Sequence, residues 1–492
     1  MLPSPSACWR RSSARRISSP SSWLISQKGS NGPDRNSMPR SFSKSSRSHS
    51  PSPHKHERSL IPVGMATILP HTAKRVRHLE DTLLTVLTRW GYQEIIPPTF
   101  EYLDVLSAGL EPDLIEKCYK FVDQTTGRIL LLRPDVTAQI ARIVAMGMVE
   151  ASVPLRLCYR STVFRYEPEH AGREREIFQV GAELIGVDDV STDSEIIALA
   201  LECLKQLGLS TFTISVGHVG FFKALLARSG LSLEGQKRAE HAAARKDLPR
   251  LDEILTDERV PKRVARAILE VPSLCGREDV LERGREMAER DRELLTALER
   301  LDRVYRVLKA AGLAEYLLLD LGEFRGFDYY DGVTFDVFAE GIGCELGGGG
   351  RYNHLIGRFG RDLPSTGFAL DVDRLFQAMQ RVGEGQAGAR VDFLITASAR
   401  HSGRVFQVSQ MLRNAGHRVV QGVLQPHGQA GIRASVQEGR IIGACAVVVL
   451  GEKKVAPDEA LIVAGPPSLV GAVRPGVPVR KRVKIKELPH LL

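Results

Sequence analysis

The stretch FRYEPEHAGREREIFQVGAE, residues 164–183, decides the fold, because two β-forming ends enclose a strongly charged loop. Residues 155–165 and 177–184 are therefore predicted as two strands that flank this loop. Two later stretches also mix strand formers with arginines, carboxylates and tyrosines: EFRGFDYYDG at 323–332 and GGGRYNHLIGRFGRDLPSTGFALDVDRL at 348–375. Buried polar groups need partners, so we expect the three stretches to meet in one polar pocket.

The composition is that of a globular protein with two or three domains. Of the 492 residues, 43% are hydrophobic and 25% are charged, and the apolar runs are much shorter than the ~20 residues of a membrane span. The seven cysteines are scattered and form no C-x-x-C pair. This argues against a zinc site or a disulfide framework and favours a reducing, cytoplasmic location.

The net charge of +9 is confined to the first 60 residues, which hold 11 basic and 2 acidic side chains. The remaining 432 residues hold 56 of each, so the charge balance of the folded part does not favour tRNA or another polyanion. Residues 1–60 are rich in Ser and Arg and are predicted to be a disordered leader. Either an organellar transit peptide or translated sequence upstream of the true start has this composition.

Periodicity and linker signals divide the rest into a domain at 61–382, with an all-helical insertion at about 219–312, and a small α/β domain at 389–492 with a parallel sheet. A Gly-rich linker at 383–388 separates them. In the first domain we predict helices at 70–90, 134–148 and 193–206, and strands at 93–96, 128–132, 155–165, 177–184, 212–216, 316–321, 333–338 and 367–370. In the second we predict helices at 403–414 and 430–438, and strands at 393–397, 418–423, 444–450 and, as a Lys-rich edge, 480–486.

The three charged stretches carry the groups that a free α-amino acid requires. A guanidinium fork suits its carboxylate, a carboxylate suits its ammonium, and a shaped polar pocket suits its side chain. Taken alone, the arginine–glutamate pairs are also typical of a solvated loop. Taken alone, the tyrosine pair is also typical of core packing. The candidate residues are Arg165 and Arg325 for the carboxylate, Glu183, Gln179 and Asp135 for the ammonium, and Tyr329, Tyr330 and Tyr352 for the side chain.

Residues 61–375 resemble the class II family of histidyl-tRNA synthetase-like proteins, with its motifs in the same order. LRPDVT at 132–137 is similar to the amino-acid loop, 164–183 to motif 2, and 367–374 to motif 3, while RGFDYY and GRY resemble the histidine signatures. The resemblance implies an α+β fold, an antiparallel sheet flanked by helices, that dimerises near residues 95–100. The implied histidine site consists of Asp135, Thr137, Arg165, Gln179, Glu183, Arg325, Tyr330 and Tyr352. We expect Arg165 or Arg325 on the ligand carboxylate, Glu183 and Gln179 on its ammonium, and Tyr330 and Asp135 towards its imidazole.

Four residues, in three segments, depart from the synthetase pattern. Asp371 stands where motif 3 has a Gly that packs against ATP, Asp135-Val136 replaces Glu-Gly, and Phe178 stands where a His precedes the Gln. A carboxylate at Asp371 would crowd a triphosphate and repel it by about 1–4 kcal/mol. The pattern therefore predicts a nucleotide-blocking residue, and no catalytic residue, cofactor or metal site.

The same departures are typical of the regulatory subunits of ATP phosphoribosyltransferase. That resemblance implies a non-catalytic protein that acts in the first step of histidine biosynthesis. It also implies a homodimer that is part of a hetero-oligomer and does not contact membranes. Its partner would be the short-form catalytic subunit, and free histidine its feedback effector. The alternative is an active histidine–tRNA ligase, which stays open because residues 389–492 resemble an anticodon-binding domain.

Overall fold

The structure is a computed structural model that describes residues 61–62, 64–147, 153–166, 175–323, 329–381, 391–397, 401–422, 428–452, 455–464 and 481–491. The predicted leader, the predicted linker and Arg325 lie outside these residues. The chain divides into two compact units, one up to residue 382 and one from residue 383. Among the described residues no helix combines the length and the apolar character needed to cross a bilayer.

The elements of the first unit follow in chain order. The strands are β1 (Gln93–Glu94), β2 (Phe100–Tyr102), β3 (Lys120–Val122), β4 (Ile129–Leu132), β5 (Leu155–Phe164), β6 (Glu176–Ile185), β7 (Phe212–His218), β8 (Cys275–Gly276), β9 (Leu317–Asp320), β10 (Val333–Ala339), β11 (Gly347–Arg351) and β12 (Ser365–Asp371). The helices are α1 (Pro70–Arg89), α2 (Leu103–Leu106), α3 (Pro112–Glu116), α4 (Val136–Ala145), α5 (Val190–Gln206), α6 (Val219–Ala227), α7 (Leu233–Ala244), α8 (Leu248–Asp257), α9 (Lys262–Glu270), α10 (Asp279–Ala288), α11 (Arg292–Ala310) and α12 (Val372–Arg381).

Nine of these strands form one sheet in the order β1-β5-β6-β12-β11-β10-β7-β9-β8. The pairs β1–β5 and β7–β9 are parallel and the other neighbours are antiparallel. The predicted α+β class, a largely antiparallel sheet flanked by helices, is confirmed. A separate three-stranded sheet, β2-β4-β3, was not predicted beyond its central strand, because β2 and β3 have only three residues each.

The long strand β6 has a different neighbourhood on each face, since side chains alternate along a strand. Val180, Ala182 and Leu184 join the large core that also holds the buried stripe of α1 and the apolar side of α5. Gln179 and Glu183 point to the opposite face, beside a smaller cluster that contains part of α4 and several tyrosines. This second face is where the predicted pocket residues meet.

The insertion starts at Val219 and contains α6 to α11, close to the predicted bounds. The prediction that it is all-helical is wrong in one detail. Cys275 and Gly276 form β8, which pairs antiparallel with Asp320 and Leu319 at the edge of the main sheet. A pairing of two residues produces no alternation in the sequence, so periodicity does not reveal it.

The elements of the second unit are β13 (Val391–Ala397), α13 (Ser402–Asn414), β14 (Val419–Gln421), α14 (Gln429–Ile441), β15 (Ala444–Leu450), β16 (Glu459–Ala464) and β17 (Lys481–Lys484). The five strands form a sheet in the order β14-β13-β15-β16-β17. The prediction of a parallel sheet holds for the first three strands, but β16 and β17 are antiparallel. As predicted, the Lys-rich strand lies at the edge, though it ends at Lys484.

Candidate functional site

Glu183 lies at the centre of the candidate site. Its side chain is held on strand β6, and the residue is only 1% exposed. The hydroxyl of Thr137 donates to Oε1 at 2.7 Å, and the hydroxyl of Tyr352 donates to Oε2. Gly367 is its cross-strand partner on β12, and a Cβ there would lie 1.6 Å from Oε2. Position 367 must therefore lack a side chain if the Glu183 carboxylate is to stay in this place.

The amino end of α4 supplies a second buried carboxylate. Asp135 is the N-cap residue, and its Oδ1 accepts a 3.1 Å hydrogen bond from the Thr137 N–H. The Tyr329 hydroxyl lies 3.5 Å from Oδ2 and donates to it. Burial raises the pKa of Asp135, and the nearby Arg165 guanidinium opposes that rise. Arg165 is held in this region because its Nε donates to the Pro134 carbonyl at 2.8 Å.

Three tyrosines form an aromatic cage around these carboxylates. The ring centroid of Tyr329 lies 4.7 Å from that of Tyr330 and 5.7 Å from that of Tyr352, and the Tyr330 and Tyr352 centroids are 6.4 Å apart. All three residues are buried. Tilted and edge-to-face rings at these distances attract one another, so the cage is a rigid apolar wall with polar tips.

The pKa of Glu183 is raised to about 8, mainly by burial. Hydrogen bonds from Tyr352 and Thr137 lower this pKa, and the nearby Asp135 carboxylate raises it. The closed cage thus favours a neutral carboxyl when no cation is present. A ligand that brings an N–H donor or a positive charge would restore the charged form. The cluster is therefore built to receive a polar or cationic group.

Tyr159 is a fourth tyrosine of the site that the sequence reasoning missed. It is fully buried on β5, and its hydroxyl has no hydrogen-bond partner among the described residues. Its cross-strand partner is Gly181, where a Cβ would lie 2.5 Å from the Tyr159 hydroxyl oxygen. Gly181 was the sequence signal for this tyrosine. It lies on the same face of β6 as Gln179 and Glu183, and a glycine there leaves room for a large side chain from the neighbouring strand.

A second polar cluster occupies the same sheet face further along β6. The Gln179 amide donates to Oδ1 of Asp371 at 2.8 Å, and Arg374 Nη1 lies 3.2 Å from Oδ2 of the same carboxylate. Arg374 Nη1 also donates to the Glu345 carbonyl at 2.7 Å and to its Oε1 at 2.8 Å. Asp371 therefore engages both groups, Gln179 through one carboxylate oxygen and Arg374 through the other.

The structure brings most of the predicted site together. Hydrogen bonds join Asp135, Thr137, Glu183, Tyr329 and Tyr352, and ring contacts add Tyr330. Gln179 is on the same face but four residues from Glu183, about 13 Å along the strand. The described residues contain no group of three or more His, Cys, Asp or Glu that could hold a metal ion. Arg325 lies outside the described residues.

Comparisons with known proteins show which family has this fold and sequence. The sequence profile of the family described as histidyl-tRNA synthetase matches residues 64–375. A Syntrophotalea carbinolica protein named ATP phosphoribosyltransferase regulatory subunit is 37% identical over 367 residues, which are 75% of this chain and 86% of that protein. A Geobacter metallireducens protein of the same name is 35% identical over 403 residues, 82% of this chain and 92% of its own length.

A crystal structure from Bacillus halodurans is described as an ATP phosphoribosyltransferase regulatory subunit/histidyl-tRNA synthetase. It aligns with a TM-score of 0.69 at 30% identity and covers 81% of this chain and 99% of its own. Profile, relatives and solved structure thus agree on both the class II fold and the branch to which the sequence is most similar. The chain belongs to the histidyl-tRNA synthetase-like family, within its group of ATP phosphoribosyltransferase regulatory subunits.

Proposed function

We propose that this chain is a non-catalytic regulatory subunit that activates a short-form ATP phosphoribosyltransferase and makes it sensitive to free histidine. One observation supports the proposal: the buried cluster around Glu183 shares a sheet face with Asp371, whose carboxylate would oppose a nucleotide. Asp371 engages both Gln179 and Arg374, and Glu345 adds a second carboxylate at Arg374. A triphosphate would have to displace these contacts and face two negative charges.

The pocket geometry favours a ligand orientation that differs from the expectation drawn from sequence. The ammonium and carboxylate of an amino acid are separated by one carbon, so their partners must be neighbours. Arg165 acts on Asp135 and is anchored at the adjoining Pro134 carbonyl, which favours this end for both charged groups. The imidazole would then enter the tyrosine cage and meet Glu183, instead of pointing to Asp135.

Histidine binding would shift the assembly between an active and an inhibited state. The coupling free energy is reciprocal. If histidine weakens the binding of the catalytic partner's substrates by some factor, those substrates must weaken histidine binding by the same factor. The phosphoribosyl transfer itself would take place on the partner subunit. The name shared by the relatives, regulatory subunit, supports a partner of this kind.

The test is to mix the full chain with a short-form catalytic subunit and to follow turnover with and without histidine. We expect activation by this chain and inhibition by histidine. Tyr352→Phe removes a hydroxyl that bonds Glu183, so it should weaken inhibition while activation persists. Tyr166→Phe, which removes a hydroxyl at an exposed position, is the control. Absence of activation at every mixing ratio would remove the proposal.

An active histidine–tRNA ligase is the alternative, and the second, α/β unit is the observation in its favour. Histidine-dependent exchange of pyrophosphate into ATP separates the two functions, because a ligase catalyses it and a regulatory subunit does not. Clear exchange activity in the isolated chain would replace the proposal with the ligase.

We also propose that the chain forms a homodimer through the small β2-β4-β3 sheet. Phe121 and Phe100 pair with Leu130 and Leu132 of β4, so they lie on the same face of this sheet, and they are 38% and 52% exposed. The Phe100 and Phe121 rings touch with centroids 5.2 Å apart. An exposed patch of this kind marks an interaction surface. In sedimentation experiments Phe121→Glu should yield monomers, whereas Val307→Glu, at a single exposed valine of α11, should not.

A further inference from the structure

A cavity separate from the amino-acid pocket lies between the helical insertion and the strand ends of the main sheet. Its volume is about 750 Å³, and its walls come from α6, α7, α11 and the segments around Gly332 and Asn353. This volume is in the range of sites that bind small molecules. The polar groups in its walls therefore indicate what it can bind.

Two cations in the cavity wall have no carboxylate of their own in the described part of the chain. Among the described residues, Lys223 on α6 donates only to the Tyr330 carbonyl, at 3.3 Å, and Arg292 at the start of α11 forms no ion pair. By contrast, Arg300 pairs with Asp188 and Asp193, and Arg351 also pairs with Asp193. The positive charge available to a ligand is thus on Lys223 and Arg292.

His218 contributes a buried hydrogen-bond donor to the same cavity. Its Nδ1 accepts from the Gly220 N–H at 3.1 Å, which leaves the ring proton on Nε2. The residue is 9% exposed, and no described residue bonds Nε2. Burial, with Arg300 nearby, lowers the pKa of His218 to about 4, so the ring is neutral at pH 7. A neutral N–H donor of this kind suits a hydroxyl or an ester oxygen.

Asp331 supplies the matching acceptor. Its Oδ2 accepts from the Asn353 N–H at 2.8 Å, while its buried Oδ1 has no hydrogen-bond partner among the described residues. Asp331 and His218 converge, because the Val219 N–H donates to the Gly332 carbonyl at 3.1 Å. Glu240 and Glu293 also line the cavity, so a bare anion would meet repulsion as well as attraction.

We propose that this cavity binds a small phosphorylated polyol, with its phosphate at Lys223 and Arg292 and its hydroxyls at His218 and Asp331. A dianionic phosphate matches two cations from different helices. Hydroxyl groups match the remaining groups, since one hydroxyl can accept the single proton of His218 Nε2 and the hydroxyls can donate to Asp331 Oδ1 or to the glutamates. A free sugar phosphate and a nucleotide both have this chemistry.

The test is calorimetric titration of the full chain, without amino acid, using ribose 5-phosphate, uridine 5′-monophosphate and inorganic phosphate. We expect either organic phosphate to bind at least about tenfold more tightly than inorganic phosphate, because hydroxyl recognition adds to the charge contacts. Whichever of ribose 5-phosphate and uridine 5′-monophosphate binds more tightly shows whether the natural ligand is a free sugar phosphate or a nucleotide. Because no amino acid is present, the outcome is independent of the proposed histidine site.

Two variants locate the site. Lys223→Met and Arg292→Gln should each weaken binding by about tenfold, the size of one charge-assisted hydrogen bond. Arg303→Gln, at an exposed position of α11 outside the cavity, should leave it unchanged. Both test positions are exposed, so the variants should fold, which circular dichroism checks. Absence of binding, equal affinity for inorganic phosphate, or equal affinity in Arg292→Gln and Arg303→Gln would overturn the proposal.

Discussion

The side-chain amide of Gln179 donates a 2.8 Å hydrogen bond to Asp371, its cross-strand partner between β6 and β12. The second oxygen of Asp371 lies 3.2 Å from Nη1 of Arg374. One carboxylate therefore engages the Gln179 amide with one oxygen and the Arg374 guanidinium with the other. We expect this carboxylate to oppose nucleotide binding in two ways, by occupying these two groups and by charge repulsion.

We expect Asp371→Gly to gain affinity for magnesium ATP, because it leaves Arg374 with one carboxylate, that of Glu345, instead of two and removes both bulk and charge. The gain should be about tenfold or more, given a like-charge cost of about 1–4 kcal/mol. Asp371→Asn removes the charge and keeps the bulk, so it should gain less. Titration with a fluorescent ATP analogue measures both variants. If wild type binds ATP as tightly as Asp371→Gly, the blocking role is wrong.

Gly367→Ala should break the centre of the pocket. The added Cβ would lie 1.6 Å from Glu183 Oε2 and 2.6 Å from the Ala182 carbonyl oxygen. Displacing Glu183 removes its bonds with Thr137 and Tyr352, so unfolding free energy should fall by about 2–4 kcal/mol and histidine binding should be lost. Chemical denaturation and calorimetry measure these effects. Gly343→Ala, where nothing lies within 4 Å, is the matched control.

The stability of the ligand-free chain should depend on Glu183 in a defined pH window. Its folded-state pKa of about 8 is above its ordinary value of 4.5. Because the folded state holds the Glu183 proton more tightly than the unfolded state, this proton stabilises the fold. That contribution is complete below pH 4.5 and is lost as the pH rises through 8. Glu183→Gln cannot lose a proton, so its melting temperature relative to wild type should rise between pH 5 and pH 9.

The effect of Glu183→Gln should be on the order of a few kcal/mol across the window, since each unit of pKa shift is worth about 1.4 kcal/mol. Scanning calorimetry at several pH values measures it. Glu176→Gln, on the same strand but outside the pocket cluster, serves as the control. A constant difference between Glu183→Gln and wild type at all pH values would contradict the prediction.

The ligand orientation can be tested with imidazolelactate, which replaces the ammonium of histidine with a hydroxyl. Wild type should prefer histidine, because Asp135 is placed to meet the ammonium. That preference should shrink about tenfold in Asp135→Asn and persist in Glu183→Gln, since losing one charged hydrogen bond costs about 1.5–3 kcal/mol. Calorimetry gives both affinities. The reverse pattern would restore the orientation expected from sequence.

Much of the fold was predictable because it depends on local patterns. The buried stripe of α1, the strands β5 and β6 and the tyrosines of the cage all carry period or motif signals that can be read without tertiary contacts. The short strands β2, β3 and β8 were missed, since two or three residues contain no period. The strands β16 and β17 pair antiparallel with their neighbours. Strand direction depends on the path of the chain between strands, which local residue preferences do not encode.

By itself, the sequence determined which chemical groups this protein brings to its site and that Asp371 is a departure from the synthetase pattern. Only the tertiary structure decided what these groups do to one another. Strand register places Gly367 against Glu183, Gly181 against Tyr159 and Gln179 against Asp371, and burial then raises the pKa of Glu183. Register and burial are properties of paired strands and packed layers, so they arise only when distant segments meet.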